Sequence, residues 1–330
     1  MAMPMNTANC LRATLLIGCI VVPGGGSEVH AQTYPSKPIR IIVAYPPGGP
    51  NDLTARTLGH RLAEHLGQNV IIENRAGAGG IIGSQGVATA APDGYTLLNG
   101  AGAMTITPAL NKNVPYNVVR DFAPISLTAN SSFVLAVHPS VPAHNVKDLL
   151  PLAKARPGQL KYASAGIGTP PHLAGELLKT LTGVNILHVP YKGVGQSITD
   201  LVAGHIDMMF SSLPTAMPQI GTRKLRALAV STLARSPLLP STPTVHESGV
   251  KGFEMQTWFG LLAPAGTPSE IVNRLNATIV TIVATPDFRE RLSSQGMDPL
   301  SSTPAEFSAR IKSELTKFAA LVRAANIQPE

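Results

Sequence analysis

The chain has 330 residues, of which 44% are hydrophobic and 14% are charged. This composition is typical of a folded globular protein with room for one large domain or two of ordinary size. The formal net charge of +7 can steer an anionic ligand towards the protein. No basic cluster with interleaved aromatic residues occurs in the sequence, so we expect no nucleic acid partner.

Residues 1–31 are typical of a secretory signal peptide. Arg12 precedes an apolar run over residues 13–22, which is too short to span a bilayer, and a small-residue cleavage site ends at Ala31. The alternative is lipid anchoring at Cys19, but the apolar run before it is short for that, which favours cleavage after Ala31. Because Cys10 and Cys19 both lie in this segment, the mature chain would have no disulfide and no cysteine metal site. We therefore expect an exported, periplasmic protein.

The first strand–loop–helix unit of the mature chain lies between residues 39 and 67. An apolar run over residues 39–44 is followed by Tyr45-Pro46-Pro47-Gly48-Gly49-Pro50 and then by an amphipathic helix. The pattern predicts Asn51 or Asp52 as the helix N-cap and an end near Gly67. A glycine-rich loop at a helix N-terminus suits an anion, although many loops of this kind only connect two elements.

The same pattern recurs along the chain. Loops of small residues follow predicted strands at residues 74–80, 99–105, 164–169 and 191–195. Alternating strands and helices predict an α/β fold with a parallel sheet whose loops gather on one edge. The last third is predicted to be helical, and Thr267 and Thr303 both have the spacing of capping boxes. Trp258, the only tryptophan, is expected to pack in the core or hinge and not to contact a ligand.

Several ordered motifs resemble those of one known family. They are Pro46-Pro47-Gly48-Gly49 with Asp52, Glu73-Asn74-Arg75 with Gly77-Ala78-Gly79-Gly80, Tyr162-Ala163-Ser164-Ala165-Gly166 with Gly168-Thr169 and His172, His188-Val189-Pro190-Tyr191-Lys192-Gly193, and Trp258-Phe259-Gly260. From about Tyr34 to the C-terminus the chain resembles the Bug (Bordetella uptake gene) solute receptors, the TctC-like periplasmic component of tripartite tricarboxylate transporters.

The resemblance implies an α/β, type II periplasmic-binding-protein fold, in which two lobes joined by a hinge close on a small carboxylate. It places residues 32–130 and 255–330 in lobe 1 and residues 131–254 in lobe 2. The ligand is expected between the loop over residues 45–52 and the loop over residues 164–169. The ligand-binding residues carried over by motif are Tyr45, Pro47, Gly48, Gly49, Asn51, Asp52, Ser164, Ala165, Gly166, Gly168, Thr169, His172, Tyr191 and Asp207. No cofactor and no metal are expected.

One departure from the family pattern concerns the first loop. The family usually has Phe, often preceded by Pro, where this chain has Tyr45 preceded by Ala44. A phenol that faces the cleft would add a hydrogen bond and change the range of ligands.

The two main loops contain no Arg or Lys, so we expect backbone N–H groups, hydroxyls and water to hold the carboxylate. Di- and tricarboxylates, amino acids and aromatic acids all fit this chemistry. The expected partners are membrane permease subunits. A membrane signalling partner, or sensor, is the alternative, since transport and sensing would use the same ligand switch.

A serine hydrolase, with Ser164 as nucleophile and His172 as base, is a remote alternative. The sequence has no Gly-x-Ser-x-Gly elbow, no Walker loop, no Gly-x-Gly-x-x-Gly and no His-Glu-x-x-His. We therefore expect a protein that is not an enzyme.

Overall fold

One mixed sheet runs through the computed structural model, which describes residue 1 and residues 34–191, 193–325 and 327. Beyond residue 1 the predicted signal peptide, with Cys10 and Cys19, lies outside the described residues, and so does Lys192. Within the described residues the sheet has ten strands. They are β1 (Ile39–Val43), β2 (Val70–Asn74), β3 (Thr96–Ala101), β4 (Phe122–Val137), β5 (Lys161–Ser164), β6 (Leu187–Pro190), β7 (Met208–Ser212), β8 (Arg226–Val230), β9 (Gln256–Pro264) and β10 (Met297–Pro299).

The helices lie between and after these strands. In chain order they are α1 (Pro50–Leu66), α2 (Ile81–Ala88), α3 (Ala103–Leu110), α4 (Val146–Ala155), α5 (Pro170–Thr182), α6 (Val194–Val202), α7 (Leu213–Gly221), α8 (Ser269–Ala284), α9 (Pro286–Ser293) and α10 (Pro304–Ala324). None of the described helices is long and apolar enough to cross a membrane.

The strand order is β2-β1-β3-β9-β4-β7-β5-β6, and β8 and β10 both pair with β4. Strand β1 is parallel to β2 and β3, and β5 is parallel to β6 and β7. Within each parallel set the carboxyl ends of the strands meet at one edge. The predicted gathering of loops is therefore confirmed within each set, but the prediction of a parallel sheet is wrong for the sheet as a whole, because β4 and β9 run antiparallel between the sets.

Strand β4 connects the two parallel sets without a loop. Its residues 122–132 pair with β9, its residues 133–137 pair with β7, and its residues 134–137 also pair with β8. The register shifts twice in the pairing with β9, which is typical of strands that bend. The chain thus crosses from one half of the sheet to the other inside a continuous strand.

Helix α10 packs against both halves of the sheet. Its N-terminal part, with Phe307 and Ile311, shares an apolar cluster with Trp258, whereas Phe318 near its C-terminal end packs in the cluster that contains Leu173 of α5. The indole N–H of Trp258 donates to the Oε2 atom of Glu314 at 2.7 Å. The expectation that Trp258 packs in the interior is confirmed, since the side chain is fully buried.

Two of the predicted helix ends are confirmed and two are wrong. Gly67 ends α1 in the left-handed conformation, and Thr303 starts α10 with a complete capping box. The N-cap of α1 is Gly49, because the side chains of Asn51 and Asp52 bond to other elements. The capping box expected at Thr267 does not form, since its hydroxyl donates to the Pro264 carbonyl.

Candidate ligand-binding site

The loop between β1 and α1 is shaped by the buried carboxylate of Asp52. The Gly48 N–H donates to Asp52 Oδ2 at 3.0 Å, and Asn74 Nδ2 donates to Oδ1 at 2.9 Å. Arg56, one helical turn later, bonds to both oxygens, with Nε 3.0 Å from Oδ2 and Nη2 2.9 Å from Oδ1. Asp52 is only 4% exposed. Its carboxylate therefore fixes the shape of the loop through internal hydrogen bonds, and each oxygen already has two protein partners.

The charge of Asp52 is balanced locally. Burial by itself raises the pKa of this carboxyl group, but the hydrogen bonds from Arg56, Gly48 and Asn74 outweigh that effect and hold the pKa below its usual range. The group is thus ionised at neutral pH and paired with a guanidinium. An anionic ligand that approaches the loop meets an ion pair here and not an isolated negative charge.

Free backbone donors lie at the N-terminus of α1. The helical ladder begins with the Leu53 N–H, which donates to the Gly49 carbonyl at 3.0 Å. Pro50 has no N–H group, so the N–H groups of Asn51 and Asp52 are the helical donors that precede the ladder. They lie at the positive end of the helix dipole, where an anion is stabilised.

The side chain of Asn51 points into the protein, where it meets a residue that the motifs did not indicate. Asn99, at the carboxyl end of β3, donates from Nδ2 to the carbonyl oxygen of Asn51 at 2.9 Å and to its Oδ1 at 2.8 Å. Asn51 is 5% exposed. The Nδ2 atom of Asn51 is buried and bonds to no described residue, so its backbone is the part of Asn51 nearest to solvent, while Asn99 anchors the first turn of α1 to the sheet. The only sequence signal for Asn99 is its place directly after a predicted strand.

Tyr45 lies against the loop that follows β2. A Cβ atom on Gly80 would lie 3.0 Å from the Tyr45 hydroxyl oxygen, so glycine makes room for the phenol. Burial raises the pKa of Tyr45, and the hydroxyl therefore keeps its proton at neutral pH. No described residue forms a hydrogen bond with this hydroxyl. Pro47, two residues further along the same loop, is exposed.

The loop after β5 is shaped by hydroxyl groups that point inwards. The Ser164 Oγ atom accepts from the Gly166 N–H at 3.1 Å and lies 2.9 Å from the Gly166 carbonyl oxygen. The Thr169 hydroxyl donates to the same carbonyl at 2.7 Å. The sequence expectation was that such hydroxyls hold the ligand. In the structure they stabilise the loop, and Ser164 is fully buried.

Few helical donors remain at the start of α5, because its first two residues are Pro170 and Pro171. The Gly168 N–H is also occupied, since it donates to His172 Nδ1 at 3.0 Å. The N–H groups of Ala165 and Ile167 bond to no described residue. They are the donors that this loop offers to a ligand.

A stack of three aromatic rings packs against the second loop. The His172 and His188 rings stack with centroids 4.0 Å apart, and the Tyr162 ring stacks on His188 at 4.8 Å. Burial lowers the pKa of both histidines, to about 3 for His188, where the charges of His172 and Lys179 add to the effect. Both rings are therefore neutral at pH 7.

The structure also bears on the hydrolase alternative. The histidine next to Ser164 is His188, with Nε2 2.7 Å from Oγ, and not the predicted His172. Ser164 is buried, and an imidazole with a pKa near 3 is a weak general base at neutral pH. The arrangement fits a loop support and does not fit an activated nucleophile.

Tyr191 lies beside the second loop, whereas Asp207 does not. The Tyr191 N–H donates to the Ser164 carbonyl at 3.1 Å, and its hydroxyl donates to Asp200 at 2.7 Å. An open pocket of about 420 Å³ lies there, lined by Tyr191, Gly195, Gln196, Thr199 and Asp200. Asp207 instead accepts from the Lys161 N–H at 2.7 Å. Lys161 begins β5, so Asp207 lies at the opposite end of that strand from the loop.

Both predicted loops border the segment that runs from β3 through α3. Asn51 of the first loop is hydrogen-bonded to Asn99 of β3. Gly168 of the second loop, with φ of +77°, packs so closely on Leu110 at the end of α3 that a Cβ atom would collide with it. Residues 45–52 and 164–169 therefore both contact this segment, the first loop at Asn99 and the second at Leu110. Within the described residues no cluster of three or more His, Cys, Asp or Glu side chains is placed to hold a metal ion.

Comparisons with known proteins place this arrangement in a family. The sequence model of the "Tripartite tricarboxylate transporter family receptor" matches residues 54–327. The chain is 40% identical over 321 residues to the "UPF0065 protein in tcbD-tcbE intergenic region" of Pseudomonas sp. (strain P51), which covers 96% of this chain and 95% of that protein.

Two solved structures are closely similar. One is R. palustris Rpa4515 with adipate, at 34% identity and a TM-score of 0.82, covering 90% of this chain and 100% of that one. The other is the periplasmic binding protein BugD, at 36% identity and a TM-score of 0.78, with the same coverage of 90% and 100%. The predicted two-lobe α/β solute-binding fold and the resemblance to Bug proteins are confirmed.

These similarities cover nearly all of the chain, and the matched family consists of periplasmic receptors and not of enzymes. The chain therefore belongs to the tripartite tricarboxylate transporter receptor (TctC) family, and its function is to bind a solute for transport.

Proposed function

We propose that the protein captures a small carboxylate between the loops at residues 45–52 and 164–169 and presents it to membrane permease subunits. The observation that carries the proposal is the presence of free backbone N–H groups on two loops that border one segment. The first of these loops also ends at the positive end of a 17-residue helix. A solved structure of a relative at 34% identity contains adipate, a dicarboxylate, which supports this ligand class.

The number of donors is sufficient for tight binding. The N–H groups of Asn51, Asp52, Ala165 and Ile167 would form four hydrogen bonds to a charged acceptor. At about 1.5–3 kcal/mol each, these bonds provide on the order of 6–12 kcal/mol before the cost of ordering and closure. Micromolar binding requires about 8 kcal/mol, so no Arg or Lys side chain is needed at this end of the ligand.

The remaining predicted residues would shape the two loops or line the site, and their N–H groups are not among the four donors. Gly48, Gly49, Gly166 and Gly168 allow the backbone of each loop to approach the ligand, and the carboxylate of Asp52 fixes the first loop. Ser164, Thr169 and His172 would shape the second loop through its internal hydrogen bonds. Pro47 at the tip of the first loop, the Tyr45 hydroxyl and the pocket beside Tyr191 would lie around the part of the ligand furthest from its carboxylate. Asp207 has no part in this arrangement.

We also propose that residues 32–130 and 255–330 move as one lobe and residues 131–254 as the other. Strand β4 changes its pairing partners between Ser132 and Phe133, which supports a hinge at that point.

Export to the periplasm by cleavage after Ala31 is also part of the proposal. The alternative is lipid anchoring at Cys19, and the mass of the mature protein would distinguish the two.

Isothermal titration calorimetry on the chain from residue 32 onwards tests the ligand class. The panel contains adipate, succinate, aspartate and benzoate, each paired with its uncharged amide. We expect at least one carboxylate to bind with micromolar affinity and its amide to bind at least about tenfold more weakly, because the charge strengthens each hydrogen bond. Equal binding of the acid and its amide would contradict the carboxylate clamp.

The double variant Ser164→Ala with Thr169→Val tests the role of the second loop. Loss of the inward hydroxyl bonds should loosen the loop and weaken carboxylate binding about tenfold or more. The matched control is Thr281→Val with Ser294→Ala, which removes hydroxyls that bond to local carbonyls at exposed positions of α8 and just after α9. An affinity unchanged in the first variant would show that the second loop does not hold the ligand.

A further inference from the structure

The second loop carries one large apolar side chain among small residues. Ile167 lies between Gly166, with φ of +137°, and Gly168, with φ of +77°. Both conformations are rare for residues with a side chain. Ile167 is 52% exposed, although the hydrogen bonds of Ser164, Thr169 and His172 hold the loop around it. Ile167 thus lies on a loop whose shape is set by internal hydrogen bonds.

Exposure alone does not indicate a role, since single exposed apolar residues are common on protein surfaces. The position of Ile167 is more informative. Its own backbone N–H is one of the two donors that the loop offers, so an anion bound there lies next to the isoleucine side chain. Gly168, the following residue, packs on Leu110 of α3. Carbon atoms attached to the bound carboxylate would therefore meet an apolar surface.

The same loop offers little to a hydroxyl group on the ligand. The Ser164 and Thr169 side chains are engaged with the Gly166 backbone, and Ser164 also contacts His188. A ligand hydroxyl next to the carboxylate would lose its water at Ile167 without gaining a side-chain partner from this loop. Burial of a polar group without a hydrogen bond is unfavourable, whereas burial of methylene or aromatic carbon is favourable.

We infer that Ile167 is a specificity-determining residue, which selects carboxylates with an apolar carbon body over acids hydroxylated next to the carboxylate. This inference rests on the proposed carboxylate site and narrows its ligand class.

The experiment compares ligand pairs that differ by a single hydroxyl on the carbon next to the carboxylate. The pairs are adipate with 2-hydroxyadipate and succinate with malate, measured by calorimetry. We expect the wild-type protein to bind the unhydroxylated member at least about tenfold more tightly. In Ile167→Asn this preference should fall to about threefold or less, because the new amide offers the hydroxyl a partner. Ile167→Val should keep the preference.

The matched control is Leu181→Asn. Leu181 is 42% exposed near the far end of α5, the helix that follows the loop. This variant should keep both the affinity and the preference of the wild type. An unchanged preference in Ile167→Asn, or a wild-type preference for the hydroxylated acids, would overturn the inference while leaving the carboxylate site intact. A wild-type protein that binds no carboxylate would overturn both.

Discussion

The two loops of the proposed site follow the same path from strand to glycine-rich turn to helix, but they are stabilised in opposite ways. The first is held by an ionised group, since the Asp52 carboxylate accepts from Gly48, Asn74 and Arg56. The second is held by neutral groups, the hydroxyls of Ser164 and Thr169 and the imidazole of His172. A similar backbone shape thus depends on electrostatics in one half and on neutral hydrogen bonds in the other.

The two loops also differ in the free backbone N–H groups that they offer. Helix α1 begins with one proline and keeps the N–H of its second residue, Asn51, whereas α5 has proline at both positions. The first loop therefore supplies donors from a helix terminus, and the second supplies them from the turn at Ala165 and Ile167. The ligand carboxylate is expected to depend most on the first loop, because two free N–H groups, those of Asn51 and Asp52, lie at the positive end of α1, whereas α5 keeps only the N–H of His172 ahead of its ladder.

The largest effect is expected when the ionised group is removed. Asp52→Ala should leave Arg56 and Asn74 without their buried partner and should lower the free energy of unfolding by about 2–4 kcal/mol. Carboxylate binding should be lost with the loop shape. Urea denaturation and calorimetry measure the two effects.

The control for Asp52→Ala is Glu64→Ala on the exposed face of the same helix. It removes an ion pair with Arg61 and should leave the urea midpoint nearly unchanged. Wild-type stability in Asp52→Ala would show that the first loop does not depend on its carboxylate.

The second prediction concerns pH and the neutral support of the second loop. Burial, with the charges of His172 and Lys179, lowers the pKa of His188 from 6.5 to about 3 in the folded protein. Between these values the unfolded chain binds the proton more readily, so stability is full above pH 6.5 and falls as the pH is lowered towards 3. His172, whose pKa is also lowered, acts in the same direction.

Urea unfolding at pH 7 and pH 5 measures this effect. The wild type should lose about 1–2 kcal/mol of stability between them, and His188→Asn should lose less. At pH 5 the Asp52 carboxyl remains ionised, because its pKa is lowered. His60→Asn on the exposed face of α1 is the matched control and should keep the wild-type dependence. An equal loss in His188→Asn would show that another group is responsible.

The smallest expected effect comes from making the second loop more like the first. Pro171→Ala restores an N–H at the second position of α5 and should tighten carboxylate binding about fivefold, even if some stability is lost. Pro286→Ala, at the start of α9, adds an N–H at a helix that borders neither loop and should not change affinity. Equal or weaker binding by Pro171→Ala would show that helical donors at the second loop do not face the ligand.

Much of this protein is determined by residues close together in the sequence. The spacing of apolar residues predicts the strands and helices, Gly67 ends α1, and Thr303 with Glu306 starts α10. These signals are local because hydrophobic periodicity and helix caps depend on residues within a few positions of each other. The family motifs, read in order, likewise indicated the two loops and the solute-binding fold.

Only the tertiary structure decided what each polar side chain contacts. Asn51 and Asp52 are expected as caps from their positions, but their partners Asn99 and Asn74 lie on strands 48 and 22 residues away. Ser164 meets His188 through the pairing of β5 with β6, and Asp207 lies at the opposite end of β5 from the loop. Such contacts depend on strand register and on the direction of each side chain. A short sequence motif contains neither, because both are set by the packing of distant segments.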